Sequence, residues 1–206
     1  MFIGTPEIIE KRRGEIVDAC EQLYRSMSFK DITLKEISSV TSFSRPTIYN
    51  YFQTKEEIFL ALYEREYDRW NADLEKILGG KPCTAKKVAE QIAESLERRA
   101  QLLKLLSMNN YDMEQNSREE LLTSFKNAYG KSMKLFREIL EKHCSNLSGA
   151  EIEQIIYVFF PFMFGIYPYT EVTAKQKKAM KTADVAFTYQ TIYECTYNCL
   201  IRLLNK

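Results

Sequence analysis

The sequence contains few of the residues that break helices or build catalytic sites. It has 7 glycines, 5 prolines, 1 tryptophan and 1 histidine in 206 residues. A single histidine leaves no grouping of nucleophile, histidine and acid, and the scattered glycines form no phosphate-binding loop. No cluster has the spacing of metal ligands. We therefore expect a protein that is not an enzyme, with no catalytic residues, no cofactor and no metal site.

The sequence also lacks an excess of positive charge. Its formal net charge is +1, and the first 60 residues carry 8 Lys and Arg against 9 Asp and Glu. A general basic field that attracts nucleic acid is therefore absent. If the chain binds DNA, its affinity must come from individually placed side chains.

Cysteine usage argues against a disulfide framework. The five cysteines are Cys20, Cys83, Cys144, Cys195 and Cys199. Their odd number, their wide spacing and the lack of a secretory leader pattern predict a cytoplasmic protein. Cys195 and Cys199 lie on one face of a predicted helix. They could form a thiol sensor or a metal site, but we favour their interpretation as two small core residues. His143 is interpreted as a charge partner for the end of a helix.

Hydrophobic spacing and capping residues predict an all-α protein of about nine helices, without strands. The first helix is expected over 6–27, and a long helix begins at Thr54 and ends near Leu78, where the GGKPC run at 79–83 breaks it. A polar loop is predicted at 109–116, and a single last helix at 174–204.

One apolar run, at residues 155–169, invites comparison with a membrane span. It is shorter than the roughly 20 residues that a transmembrane helix needs. Pro161 and Pro168 also interrupt it. We expect a buried or interface helix, kinked near Pro161 and ended near Pro168, and no membrane partner.

The most informative segment contains two short helix patterns separated by a tight turn. Thr33 and Glu36 have the spacing of a capping box at the start of the first helix. Residues 41–43 form the turn, Ser44 can cap the second helix, and Pro46 lies in its first turn, where proline is tolerated. This is the geometry of a helix-turn-helix, whose second helix enters the major groove of DNA.

Residues 13 to about 62 resemble the N-terminal domain of TetR-family transcriptional regulators. The run SRPTIYNYFQTKEEI, from Ser44 to Ile58, is the most specific part of the likeness. The resemblance implies a helix-turn-helix DNA-binding domain at 1–53 and a helical effector-binding and dimerisation domain at 54–206. Ser28 and Ser42 stand where the family often has glycine, so we expect some strain from positive φ angles there.

The resemblance also implies a set of DNA contacts. They are Thr33, Lys35, Arg45, Pro46, Thr47, Tyr49, Asn50, Tyr51 and Lys55. The guanidinium of Arg45 suits the O6 and N7 atoms of guanine. Lys55 and the two tyrosines match positions that contact phosphate, whereas Ile48 and Phe52 are expected in the core.

The rest of the chain is rich in aromatic residues on predicted helices. Candidate effector-pocket residues are Tyr63, Tyr67, Trp70, Tyr111, Phe125, Tyr129, Phe136, Phe160, Phe164 and Tyr167. A well-filled core is the alternative for each of them. The resemblance implies a homodimer, paired through the last two long helices, that represses at a palindromic double-stranded operator and is released by a small apolar or aromatic effector. Control by a protein partner is the alternative.

Overall fold

The computed structural model describes residues 4–108 and 110–205, and within them it contains eleven helices and no strands. The helices are α1 Pro6–Tyr24, α2 Leu34–Ser39, α3 Arg45–Ile48, α4 Lys55–Gly79, α5 Ala85–Glu97, α6 Ala100–Leu106, α7 Asn110–Gln115, α8 Glu119–His143, α9 Gly149–Thr170, α10 Ala174–Thr182 and α11 Ile192–Leu204. The predicted all-α class is confirmed.

Two segments explain why there are more helices than the nine expected. The predicted loop at 109–116 contains α7, whose Met113 is buried. The predicted last helix is wrong, because residues 183–191 separate α10 from α11. Asp184 has a φ of 51° there, which a right-handed helix does not accept. Thr191 and Glu194 then form a capping box that starts α11.

The first compact unit comprises Met1–Arg65 and Asn109–Asn127. Its core is formed by apolar side chains from α1, α2, α3 and the start of α4, among them Ile16, Ile37, Ile48 and Phe52, which are fully buried. The ring of Phe59 makes edge-to-face contacts with Tyr24 and Phe29, with distances between ring centres of 5.2 and 4.8 Å.

The second compact unit comprises Glu66–Met108 and Ala128–Lys206. In it α5 packs on α11, and α9 packs on α6 and α11. Helix α9 includes both Pro161 and Pro168 and ends at Thr170, close to the predicted end near Pro168. By length and composition alone it could cross a membrane, a test that core helices also pass. The side chains of Ile156, Phe159 and Met163, on one face of α9, are fully buried.

The expected strain at Ser28 and Ser42 is not found. Asp184 is the only residue other than glycine with a positive φ in the described part of the chain. Both serines therefore adopt ordinary backbone conformations. Ser28 donates its hydroxyl to Asp31 at 2.6 Å, a local bond that glycine could not make.

Candidate nucleic-acid interface and aromatic cluster

Side-chain caps hold the helix-turn-helix in shape. The hydroxyl of Thr33 accepts the N–H of Lys35 at 3.2 Å, and Ser44 Oγ accepts the N–H of Thr47 at 3.4 Å. Between the helices, Ser38 donates its hydroxyl to the carbonyl of Phe43 at 3.0 Å. These bonds set the start of each helix and the path of the turn between them.

Helix α3 and the residues just after it present a mixed outer face. Arg45, Pro46, Tyr49 and Asn50 are exposed, Tyr49 by 56%, while Thr47 is half-buried. On the opposite side Ile48 and Phe52 are fully buried, which confirms their predicted place in the core. Thr33 and Lys35 are exposed at the start of α2. The predicted base and phosphate contacts thus include four solvent-facing side chains on one short segment.

Tyr51 differs from the other predicted contacts because it is only 5% exposed. Its hydroxyl accepts a hydrogen bond from Arg12 Nη1 at 3.0 Å. Its carbonyl accepts from Arg13 Nη1 and from Arg118 Nη2, each at 3.3 Å. Three arginines therefore hold the chain just after α3, and sequence reasoning assigned this role to none of them.

Lys55 lies at the start of α4 and has partners within the protein. Its ammonium donates to the carbonyl oxygens of Phe29 at 2.9 Å and Ile32 at 3.3 Å, and it lies 4.1 Å from the centre of the Phe29 ring. Lys55 thus ties the segment before α2 to α4. Its contact with DNA phosphate stays a prediction.

The first unit also contains one buried carboxylate that accepts several hydrogen bonds. Glu57 is 1% exposed and accepts four hydrogen bonds, from the backbone N–H of Gln53 at 2.7 Å and from Arg118 through its N–H at 3.2 Å, Nε at 2.8 Å and Nη2 at 3.0 Å. Burial favours a raised pKa for Glu57, but the bonds from Arg118 and Gln53 outweigh it and hold the pKa below its ordinary value of 4.5. The pair joins the start of α4 to the segment before α8.

The second unit contains what we name the aromatic cluster, formed by Tyr67, Trp70, Tyr129, Phe136, Phe159 and Phe160. Tyr129 packs edge-on against Tyr67 at 5.6 Å and against Phe160 at 5.7 Å. Phe136 stacks on Phe159 at 4.9 Å. Trp70 donates its indole N–H to Ser95 Oγ at 3.0 Å, which satisfies its polar atom. The rings contact one another as in a filled core.

The other predicted pocket residues lie elsewhere. Tyr63 is fully buried and packs edge-on against Phe125 at 5.2 Å in the first unit. Tyr111, on α7, is 77% exposed. Phe164 and Tyr167 are half-buried on α9, and burial raises the pKa of Tyr167. The structure thus brings five of the ten predicted residues into the aromatic cluster and adds Phe159.

The interpretation of His143 as a charge partner for a helix end is wrong. His143 is the last residue of α8 and is 8% exposed. Desolvation and then the charge of Lys142 lower its pKa from the ordinary 6.5, so the ring is neutral at pH 7. Its Nδ1 accepts the backbone N–H of Cys83 at 3.1 Å. Cys195 and Cys199 are half-buried on α11, and no group of three metal-binding side chains occurs among the described residues.

Two family descriptions cover most of the chain. Residues 16–62 match "Bacterial regulatory proteins, tetR family", and residues 64–193 match "Tetracyclin repressor-like, C-terminal domain". An uncharacterized HTH-type transcriptional regulator of Bacillus subtilis (strain 168), YfiR, is 32% identical over 72 residues. That alignment covers 35% of this chain and 35% of that relative.

Solved structures show the same fold over nearly the whole chain. The transcriptional regulator FadR of Bacillus subtilis, in complex with stearoyl-CoA, superposes with a TM-score of 0.61 at 15% identity, covering 93% of this chain and 97% of that one. A TetR/AcrR-family regulator of Thermobifida fusca superposes with a TM-score of 0.61 at 16% identity, covering 95% and 97%. At these identities the likeness concerns the fold.

Proposed function

Because the chain belongs to the TetR family of DNA-binding regulators, we propose that it is a dimeric repressor that binds a palindromic operator and is released by a small apolar or aromatic effector. The observation that carries the proposal is the capped helix α3 with its exposed face. Family membership also places the chain among transcriptional regulators and not among enzymes.

The exposed residues of α3 have the chemistry that reads DNA. The planar fork of Arg45 suits two acceptors of guanine, and Pro46 offers an apolar surface to a thymine methyl group. Tyr49 and Lys35 are exposed, and in the proposed complex they contact the phosphate backbone, which sets position and not sequence. Since the chain carries little net charge, these few residues supply the recognition.

The dimer proposal is supported by apolar surface on α9. Tyr157 is 72% exposed, Val158 50% and Tyr169 63%. Beside them, Pro161, Phe162, Gly165, Ile166, Tyr169 and Cys195 line a groove of about 380 Å³ between α9 and α11. A second copy that packs α9 and α11 on the same helices would cover this surface, and its two-fold symmetry would match a palindrome.

The effector proposal is supported by the chemistry of the aromatic cluster. FadR of Bacillus subtilis shares the fold and is described with stearoyl-CoA, a molecule with a long apolar chain. In this chain the rings of the cluster fill the space between them, so an apolar effector would bind by turning or displacing rings. Release of DNA follows if the effector prefers a conformation that does not fit the operator.

Control by a protein partner is the second candidate, and the exposed face of α9 supports it. An apolar surface of this kind is typical of protein interfaces. The two candidates differ in what covers α9: a second copy in the first case, a different protein in the second. The variant Val158→Asp is therefore expected to give monomers in sedimentation velocity if α9 pairs with itself.

The experiment that tests the function is selection of bound sequences from random double-stranded DNA, repeated with acyl thioesters and aromatic acids. A palindromic consensus that is lost with one ligand is the expected result. A selection without any consensus sequence would exclude the proposed sequence-specific DNA binding. A consensus that no ligand changes would favour the protein partner over the small effector.

A further inference from the structure

Helix α10 and the residues beside it gain little stabilisation from the rest of their own chain. None of residues 167–191 is buried, and α10 itself contains no buried side chain. Helix α10 has nine residues, and an isolated helix shorter than about 12 residues is only marginally stable in water. We therefore expect another surface to cover this segment in the functional assembly.

The surface of α10 carries positive charge that the described residues do not neutralise. The helix has no acidic residue, and its exposed lysines are Lys175, Lys177, Lys178 and Lys181. In the described part of the chain none of the four pairs with a carboxylate. Lys177 and Lys178 lie four and three residues before Lys181, so these three lysines share one face of the helix. The surface that covers α10 should therefore be negatively charged.

The second unit also contains a groove of opposite charge, which we name the acidic groove. It has a volume of about 410 Å³ and lies between the end of α9, the junction of α5 and α6, and the start of α11. Its carboxylates, all exposed, belong to Glu97, Glu171 and Glu194. Among the described residues none of these carboxylates has a cationic partner, although Glu194 accepts the backbone N–H of Thr191 at 2.8 Å. The same chain thus presents a basic helix and an acidic groove, both without counter-charges.

We propose that two copies of the chain exchange α10, so that the lysines of each copy bind the acidic groove of the other. The inference rests on the dimer proposed above and names a contact that this dimer makes. Complementary charges fix the register in which two surfaces meet. Two-fold symmetry forms the contact twice, once in each direction. Because the acidic groove is bordered by α9 and α11, the exchange extends the interface proposed for those two helices.

Two charge reversals distinguish an exchange between copies from a contact within one chain. The arm variant combines Lys177→Glu with Lys181→Glu, and the groove variant combines Glu97→Lys with Glu171→Lys. Each variant alone places like charges at both contacts of its dimer. We expect the Kd of that dimer, measured by sedimentation velocity over a range of concentrations, to rise by about tenfold or more, since several exposed pairs change from attraction to repulsion.

An equimolar mixture of the two variants is the decisive measurement. In the mixed dimer each α10 meets a groove of opposite charge, so the heterodimer, followed with a fluorescent label on one variant, should recover the parental Kd. A fold damaged by substitution would not recover on mixing. The control combines Lys81→Glu with Lys86→Glu, which makes the same change in net charge at exposed positions as the arm variant and should keep the parental Kd.

The outcomes separate the exchange from the dimer itself. A parental Kd in the arm and groove variants would overturn the exchange and leave the dimer through α9 and α11 intact. A mixture that associates no more tightly than either variant alone would also overturn the exchange. A parent protein that stays monomeric at every concentration would refute the proposed dimer and the exchange together.

Discussion

Replacing Arg118 by alanine should destabilise the protein far more than its partly exposed side chain suggests. The guanidinium makes bonds of 2.8 and 3.0 Å to Glu57, whose side chain is 1% exposed. Without Arg118 this carboxylate keeps two backbone N–H donors but loses its only described cationic partner. Leaving a buried charge unpaired costs about 3–5 kcal/mol, so we expect a loss of that size in the free energy of unfolding.

Arg137 provides a matched control with the same bond pattern. Its Nε and Nη2 bind Glu153 at 2.6 and 3.0 Å, and its side chain is 34% exposed, as is that of Arg118. The main difference lies in the carboxylates, because the Glu153 side chain is 45% exposed. Arg118 also donates to the carbonyl of Tyr51 at 3.3 Å. Water can solvate Glu153 after Arg137→Ala, so that variant should lose much less stability than Arg118→Ala.

The assay is equilibrium unfolding in urea, with all variants at one protein concentration because dimer stability depends on concentration. The double variant Glu57→Gln with Arg118→Ala should recover part of the stability lost in Arg118→Ala, since it removes the unpaired charge. Equal losses for Arg118→Ala and Arg137→Ala would refute the argument from burial. So would a double variant less stable than the single one.

Three further predictions follow from the same unit. Because the pKa of Glu57 is lowered in the folded protein, its carboxylate stabilises the fold fully above the ordinary pKa of 4.5, and this contribution is lost as pH falls toward the folded pKa. Glu57→Gln should therefore flatten the acid limb of a curve of unfolding free energy against pH. An unchanged acid limb would contradict this prediction. Arg45→Ala should cost about 1–3 kcal/mol at the selected operator and relax discrimination there; binding equal to the parent on both specific and random DNA would show that Arg45 does not read bases. Lys55→Ala should lower the salt slope of DNA binding by about one unit and also reduce thermal stability, because its ammonium holds two carbonyls. Lys30→Ala, at an exposed position, is the control for Lys55→Ala, and a parental salt slope in the Lys55 variant would exclude its phosphate contact.

Local signals in the sequence predicted the helix-turn-helix well. Ser44 and Thr33 cap their helices in the structure, and Ile48 and Phe52 are buried, because caps and helical spacing act over a few residues. The same reasoning failed at 174–204. A continuous apolar stripe predicted one helix, but the left-handed Asp184 and the capping box at Thr191 divide it.

The candidate sites show the limit of such signals. Five of the ten aromatic residues meet in the aromatic cluster, whereas Tyr111 is exposed and Tyr63 packs in the other unit. Helical spacing places a ring on a face, but it does not say which helix covers that face. The partners of Tyr51 could not be predicted from local sequence either, since Arg12 is 39 residues away along the chain.

The sequence by itself determined the all-α class, the capped helix-turn-helix and the residues that α3 presents, since each depends on neighbours within one or two helical turns. Only the tertiary structure decided that Glu57 is neutralised by Arg118, 61 residues away, and that His143 faces Cys83, 60 residues away. Burial, and with it the pKa of these groups, depends on which distant segments remove water from them. That packing makes Arg118 the cationic partner of a buried carboxylate and lowers the pKa of the single histidine.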